Sequence, residues 1–336
     1  MLKSLMLGAA ALVALAVGPN GAQAQGNAIC YNCPPQWADW ASQLRAIKAD
    51  LGITVPSDNK NSGQSLAALI AEKASPVADV VYLGGSVGIQ AKAAGVIEPY
   101  KPAGWDKIPA GMKDADGAWF AIHSGTLGFF VNTKALGGKP VPKSWADLLK
   151  PEYSGMVGYL DPTSAAVGYV GAVAVNLALG GDYGSFDRAI AWFKDLARNQ
   201  PIVPKQTSYA RVLSGEIPIL LDYDFNAYRA KFTDKAPVEF VIPAEGSVSV
   251  PYVMGLVRNG PNPANGRKVL DYVLSDKGQA LWGNAFMRPV LAGALSAEMA
   301  AKFLPAADYA RVRPVDLTAM AQAEKAFVTR YQSEVR

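Results

Sequence analysis

Histidine and cysteine are the scarcest reactive residues in this 336-residue chain, with one and two copies, and charged residues make up only 18% of it. A lone His123 with Cys30 and Cys33 does not supply the four ligands of a structural zinc site. The same scarcity weakens nucleophilic catalysis. Gly84-Gly85-Ser86-Val87-Gly88 matches the G-x-S-x-G turn of an exported serine hydrolase. That chemistry needs a histidine late in the chain as general base, and His123 instead follows closely, where a strand is expected. Ser86 then reads better as a hydrogen-bond donor at a helix start, and His123 as a packed or pocket-lining residue. Neither G-x-x-x-x-G-K-[ST] nor G-x-G-x-x-G occurs, so no nucleotide cofactor is implied. The formal net charge of +4 is spread without a basic run, which gives no footprint for nucleic acid.

Long apolar runs are also few. Lys3, the run Leu5 to Val17 and the small-x-small tripeptide Ala22-Gln23-Ala24 together read as a secretory signal peptide over residues 1–24, cleaved near Ala24. Residues 162–181 carry no charge, but their glycines, alanines and Asn176 suit a closely packed core helix better than a membrane span. Export would bring Cys30 and Cys33 into an oxidising compartment. The pair could be a disulfide, a redox pair, half a metal site or two reduced thiols. Residues three apart in an extended strand are about 10 Å from each other, so a bridge requires a tight turn through Tyr31-Asn32. Cys30 lacks the preceding leucine and small residues of a lipidation site, so the mature protein is expected to be free of the membrane.

Half of the residues are hydrophobic, enough for two filled cores. Short β-branched runs alternate with helical patterns, which predicts an α/β fold with largely parallel sheets. Strands are expected at 28–32, 53–55, 79–83, 156–160, 217–221, 238–242 and 250–257, and helices at 35–51, 62–73, 87–94, 186–199, 265–285 and 317–333. Two further strands, 118–123 and 126–132, pass through Ser124-Gly125. The chain leaves a first lobe (25–124 plus 253–336), builds a second (125–252) and returns, which implies two linkers, a hinge and a cleft. Ser62-Gly63, Gly84-Gly85-Ser86 and Thr163-Ser164 all follow strands and open helices, where free N–H groups and hydroxyls favour an anion. In open α/β sheets that edge holds the ligand. At Ile219 to Arg229 the sequence ILLDYDFNAYR sets two carboxylates at another strand end.

The order YNCPPQWADW, VADVVYLGGSVGIQAKAAGVIEPY, GTLGFFVNTKALGG, PKSWADLLKPEYSGMVGYLDPTSAA and GEIPILLDYDFNAYR resembles the extracellular solute-binding proteins of bacterial ABC importers. The resembling branch includes ferric-iron, polyamine, thiamine, sugar-phosphate and 2-aminoethylphosphonate binders. The resemblance implies a two-lobed periplasmic-binding-protein fold, a two-strand hinge, an interlobe ligand cleft, delivery to a cognate inner-membrane permease, and no catalysis. It implies ligand contacts from Tyr31, Asn32, Ser62, Gly63, Gly85, Ser86, Ser124, Thr126, Thr163, Ser164, Ala165, Asp222, Tyr223, Asp224 and Tyr252. Where iron binders of this branch carry adjacent tyrosines, Asp222-Tyr223-Asp224 stands instead. The two aspartates are therefore expected to hold a cation, and the helix-start hydroxyls an anion. A small amine-bearing solute is the expectation, either a 2-aminoethylphosphonate-like zwitterion or a polyamine, bound by a monomer without metal or cofactor. A ferric-iron binder using Tyr223, Tyr228 and the aspartates is the alternative.

Overall fold

The computed structural model describes residues 26–336 except Ser57, Asn59 and Thr207, so the signal peptide expected over 1–24 lies outside the described residues. The chain opens with β1 (Gly26–Asn27) and β2 (Cys30–Tyr31), then α1 (Trp40–Leu51) and β3 (Ile53–Thr54). Cys30 and Cys33 are joined in a disulfide with Cα atoms 5.9 Å apart, and Asn32, at φ 65°, makes the turn between them. Helix α1 starts five residues later than its apolar spacing suggests, because Ala38 and Asp39 both adopt left-handed backbone.

Next come α2 (Ser62–Ala71), β4 (Val80–Gly84), α3 (Gly85–Ala94) and β5 (Ile97–Glu98). Asn61 caps α2: its side chain accepts from Gln64 N, and the Gln64 side chain accepts from Asn61 N. The two strands expected on either side of Ser124-Gly125 are one, β6 (Phe120–Asn132). Beyond it lie β7 (Val157–Tyr159), α4 (Ala166–Ala178), α5 (Asp187–Ala197), α6 (Tyr209–Leu213), β8 (Ile219–Tyr223), α7 (Asp224–Phe232) and β9 (Val238–Val241). The return strand is β10 (Ser247–Val257). It is followed by α8 (Pro263–Leu274), α9 (Asp276–Asn284), β11 (Arg288–Pro289), α10 (Ala297–Ala300), α11 (Ala306–Tyr309), β12 (Val312–Pro314) and α12 (Leu317–Glu334).

Strands β6 and β10 are long because they serve both lobes. From Phe120 to Thr126, β6 pairs antiparallel with β10; from Leu127 onward it pairs with β8 and β9. β10 also runs antiparallel to β4, which lies parallel to β2, while β7 lies parallel to β8. Two sheets thus meet through β6, with β10 beside it at the crossing, giving a two-lobed α/β periplasmic-binding-protein fold. At the crossing, Pro251 faces Ser124 and removes a ladder donor, and the register shifts after Tyr252. Gly125 is required there, since a Cβ would come within 2.5 Å of the Phe225 ring.

Each lobe fills with the apolar faces of its helices. Helix α4 is buried from Ala166 to Asn176, which agrees with a core helix, and no described helix is long and apolar enough to cross a membrane. Helix α12 departs from the assignment of 253–336 to the first lobe. Its Glu324 meets Ser86 and Gln90 of α3, whereas its Phe327 and Tyr331 pack on Phe186, Tyr169 and Phe193 beyond the crossing.

Candidate functional site

Where the lobes face each other, their main chains touch. Gly63 N donates to Ser164 O at 3.1 Å, and Asn61 Nδ2 donates to Lys205 O at 2.9 Å. A Cβ on Gly63 would lie 2.3 Å from Ser164 O, so glycine permits this approach. Beside these contacts is a cavity of about 50 Å³. Asn32, Pro34, Trp37, Lys60, Asn61 and Ser62 line it from one side. Leu160, Ala165, Ala166, Val167 and Gln206 line it from the other, with Tyr252 of the crossing strand as its floor.

The chemistry of this lining is directional. Helix α4 begins at Ala166, so its first N–H groups have no carbonyl one turn back and face anionic partners favourably. Lys60 adds an ammonium group that is shared with Asp58. Its ammonium is 3.1 Å from Asp58 and 4.1 Å from the centre of the Tyr31 ring. Asp58 also accepts from Asn32 N at 2.9 Å, which fixes the loop that carries the lysine. Asn32 Nδ2 donates to Tyr82 O (2.7 Å) and to Ser62 Oγ (3.3 Å), and Ser62 Oγ accepts from Gly84 N (3.1 Å). Ser62 therefore ties two strand-end loops together as well as lining the cavity.

An aromatic wall completes the site. Trp37 lies 6.0 Å from Tyr223 and 6.0 Å from Tyr252, and Tyr252 stacks on Tyr82 at 4.9 Å and on His123 at 5.7 Å. His123 is buried, and desolvation pushes its pKa down to about 3, so the ring is neutral. Its Nε2 pairs with the Tyr82 hydroxyl at 2.9 Å. Burial also raises Tyr252 and Tyr223 well above the usual phenol range. Of these rings, Trp37 and Tyr252 line the cavity, and the others pack behind them.

Several expected contacts are placed otherwise. Asp224 does not serve as a free cation receptor: fully buried, it accepts from Arg288 Nη1 at 2.6 Å, Tyr309 Oη at 2.9 Å and Thr126 N at 3.0 Å. The strand ends at Tyr223 and Asp224 begins a helix, so the alternation that would put both aspartates on one face is broken. Asp222 accepts from Asn226 Nδ2 at 3.1 Å, and burial raises its pKa to about 7. Neither carboxylate is among the side chains lining the cavity. Tyr223 is the member of the trio that packs on the aromatic wall. Tyr228 instead joins Tyr309 at 2.7 Å, apart from the cavity lining.

Ser86 turns toward α12, donating to Glu324 at 3.4 Å, and Gly85 packs on Leu317. His123 Nε2 is taken by the Tyr82 hydroxyl, so Ser86 and His123 are not paired with each other. The Tyr31 hydroxyl donates to Glu72 at 2.8 Å; burial and that carboxylate raise its pKa to about 12. Thr163 and Ser164 precede α4 and are not its first residues; the Thr163 hydroxyl donates to Asp161 at 2.7 Å. Ser164 Oγ is buried without a hydrogen-bond partner among the described residues. Ser124 and Thr126 are strand residues outside the cavity lining. Of the expected contacts, Asn32, Ser62, Ala165 and Tyr252 line the cavity directly. Lys60, Trp37 and Gln206 were not anticipated; the signal for Lys60-Asn61 was their place just before Ser62-Gly63.

A cleft between two lobes that share crossing strands, lined by helix starts and aromatic faces, defines a solute-binding protein. The chain belongs to the bacterial extracellular solute-binding proteins, whose family model matches residues 75–322. These proteins bind a small ligand and work with a membrane permease. An uncharacterized protein of Haemophilus influenzae is 32% identical over 283 residues, covering 81% of this chain and 80% of its own. The "Putative 2-aminoethylphosphonate-binding periplasmic protein" of Salmonella typhimurium is 28% identical over 244 residues, 70% of this chain and 69% of that one. Among solved structures, the fructose-6-phosphate-bound AfuA of Actinobacillus pleuropneumoniae superposes with a TM-score of 0.77 at 23% identity, covering 93% of this chain and 99% of that one. Iron-bound HitA of Pseudomonas aeruginosa gives 0.71 at 21% identity over 91% and 98%. At these identities the two structures establish the fold alone.

Proposed function

We propose that this protein captures a small phosphonate- or phosphate-bearing solute in the periplasm, 2-aminoethylphosphonate being the first candidate, and hands it to the permease of an ABC importer. The observation that carries the reading is the convergence of the α4 start, Lys60, Asn61 and Ser62 on one interlobe cavity. Three non-bridging oxygens of a phosphonate suit several N–H donors and one ammonium. The faces of Trp37 and Tyr252 suit a short alkylammonium at the other end. A polyamine fits less well, because Asp224 is already neutralised by Arg288 and Asp222 lies off the lining.

Thermal-shift and calorimetric titration of ligand-free mature protein should compare 2-aminoethylphosphonate, inorganic phosphate, fructose 6-phosphate, thiamine, putrescine and ferric citrate. The phosphonate should stabilise the protein and putrescine should not. Stabilisation by putrescine or ferric citrate with none by any phosphorus oxyanion overturns the reading. Lys60→Ala should weaken the phosphonate about 10-fold, the scale of one partly exposed charge-assisted contact.

A further inference from the structure

Asp161 sits between β7 and the cavity wall. One carboxylate oxygen, Oδ1, accepts from Thr163 N at 2.9 Å and from the Thr163 hydroxyl at 2.7 Å. Its main-chain oxygen accepts from Ser164 N at 3.2 Å and Ala165 N at 2.9 Å. These four bonds fold residues 161–165 into the turn that aims the first N–H groups of α4. The second carboxylate oxygen, Oδ2, accepts from Arg336 Nη1 at 3.0 Å, and the Asp161 side chain is only 3% exposed. Arg336 reaches that point because α12 is anchored nearby, the Tyr331 hydroxyl lying 2.7 Å from the hydroxyl of Tyr159. The turn leads directly into Ala165, Ala166 and Val167, all lining the cavity.

We propose that Arg336 is a positioning residue of the ligand site: through Asp161 it holds the 161–165 turn so that the α4 start faces the cavity. Helix α12 is then a part of the binding apparatus, since removing the cation leaves a buried carboxylate uncompensated, and the turn built on that carboxylate loses stability and opens more often. The consequence for affinity rests on the phosphonate reading; the consequence for the turn does not.

The test compares wild type, Arg336→Ala and Arg336→Lys in the full mature chain. Amide hydrogen exchange is followed at Thr163, Ser164 and Ala165 without ligand, with α1 as reference, and titrations use 2-aminoethylphosphonate and inorganic phosphate. Arg336→Ala should speed exchange at the three amides while leaving α1 unchanged, and weaken whichever anion wild type binds about 5- to 10-fold. Arg336→Lys should restore most of both. Unchanged exchange at those amides in Arg336→Ala overturns the proposal, as does an equal speeding in α1, which reports general loosening. Faster local exchange in a protein whose wild type binds neither anion supports the positioning role and refutes the phosphonate reading instead.

Discussion

Asp222 and Asp224 are chemically alike and two residues apart, yet the backbone passes from strand to helix between them. Asp224 becomes a first-turn acid of α7, favoured by the helix dipole and paired with Arg288. Asp222 stays on the strand, where burial works against its charge. A second buried acid, Glu324, has the same problem between α12 and α3. Desolvation raises its pKa from 4.5 to about 7, although Gln90 at 2.6 Å and Ser86 at 3.4 Å oppose the shift. The folded state therefore prefers the protonated acid. Its contribution is fully present below the unfolded pKa near 4.5 and is lost as pH rises through about 7. Glu324→Gln should change stability little at pH 4.5 and raise it by roughly 2–3 kcal/mol at pH 8, read from urea unfolding at both values.

At the scale of elements, α4 shows how composition and packing correspond. Its uncharged sequence answers to burial along nearly its whole length, and its Gly168 answers to a close approach. A Cβ on Gly168 would lie 2.1 Å from Leu160 O and 2.8 Å from Pro162 N. Backbone on both sides of that contact leaves no flexible group to yield. Gly168→Ala should destabilise the protein by about 2–3 kcal/mol in denaturant unfolding, in spite of alanine's better helix propensity. It should also weaken ligand, because the clash is with the turn that positions the cavity's helix start. The elements themselves were largely legible: β4, α3, β8, α5 and α12 fall within a few residues of their apolar patterns. The late start of α1 was not, since Ala38 and Asp39 adopt left-handed backbone between Trp37 and Trp40, whose rings pack on Phe225 and Trp282 from distant parts of the chain. Nor was the continuity of β6, because Ser124-Gly125 reads locally as a break and is held straight only by pairing with β10 and β11.

Across the whole molecule, the lobes meet at Gly63 and Ser164, and there a single methyl group tests closure. Gly63→Ala would set a Cβ 2.3 Å from a main-chain oxygen of the facing lobe, without a comparable clash inside its own. The variant should keep the wild-type unfolding midpoint without ligand, bind its solute at least about 10-fold more weakly, and show a larger radius of gyration by small-angle scattering in the presence of ligand. An unchanged affinity would mean that the two loops need not touch for binding.

Composition and order alone determined that this chain builds two α/β lobes around a hinge, because buried strands and amphipathic helices are written as local periodicities. They also marked the strand-end loops rich in Asn, Ser and Gly from which the site is made. Which side chains of those loops face the ligand was decided only in three dimensions. A carboxylate two residues along a strand turns away once a helix begins. A lysine with no motif of its own reaches the cleft because Asp58 and Tyr31 hold it there. Arg336 comes to bear on the site only because α12 crosses from one lobe to the other. Local sequence encodes which faces are buried, whereas the partner of a charge depends on chain segments far apart in sequence that only packing brings together.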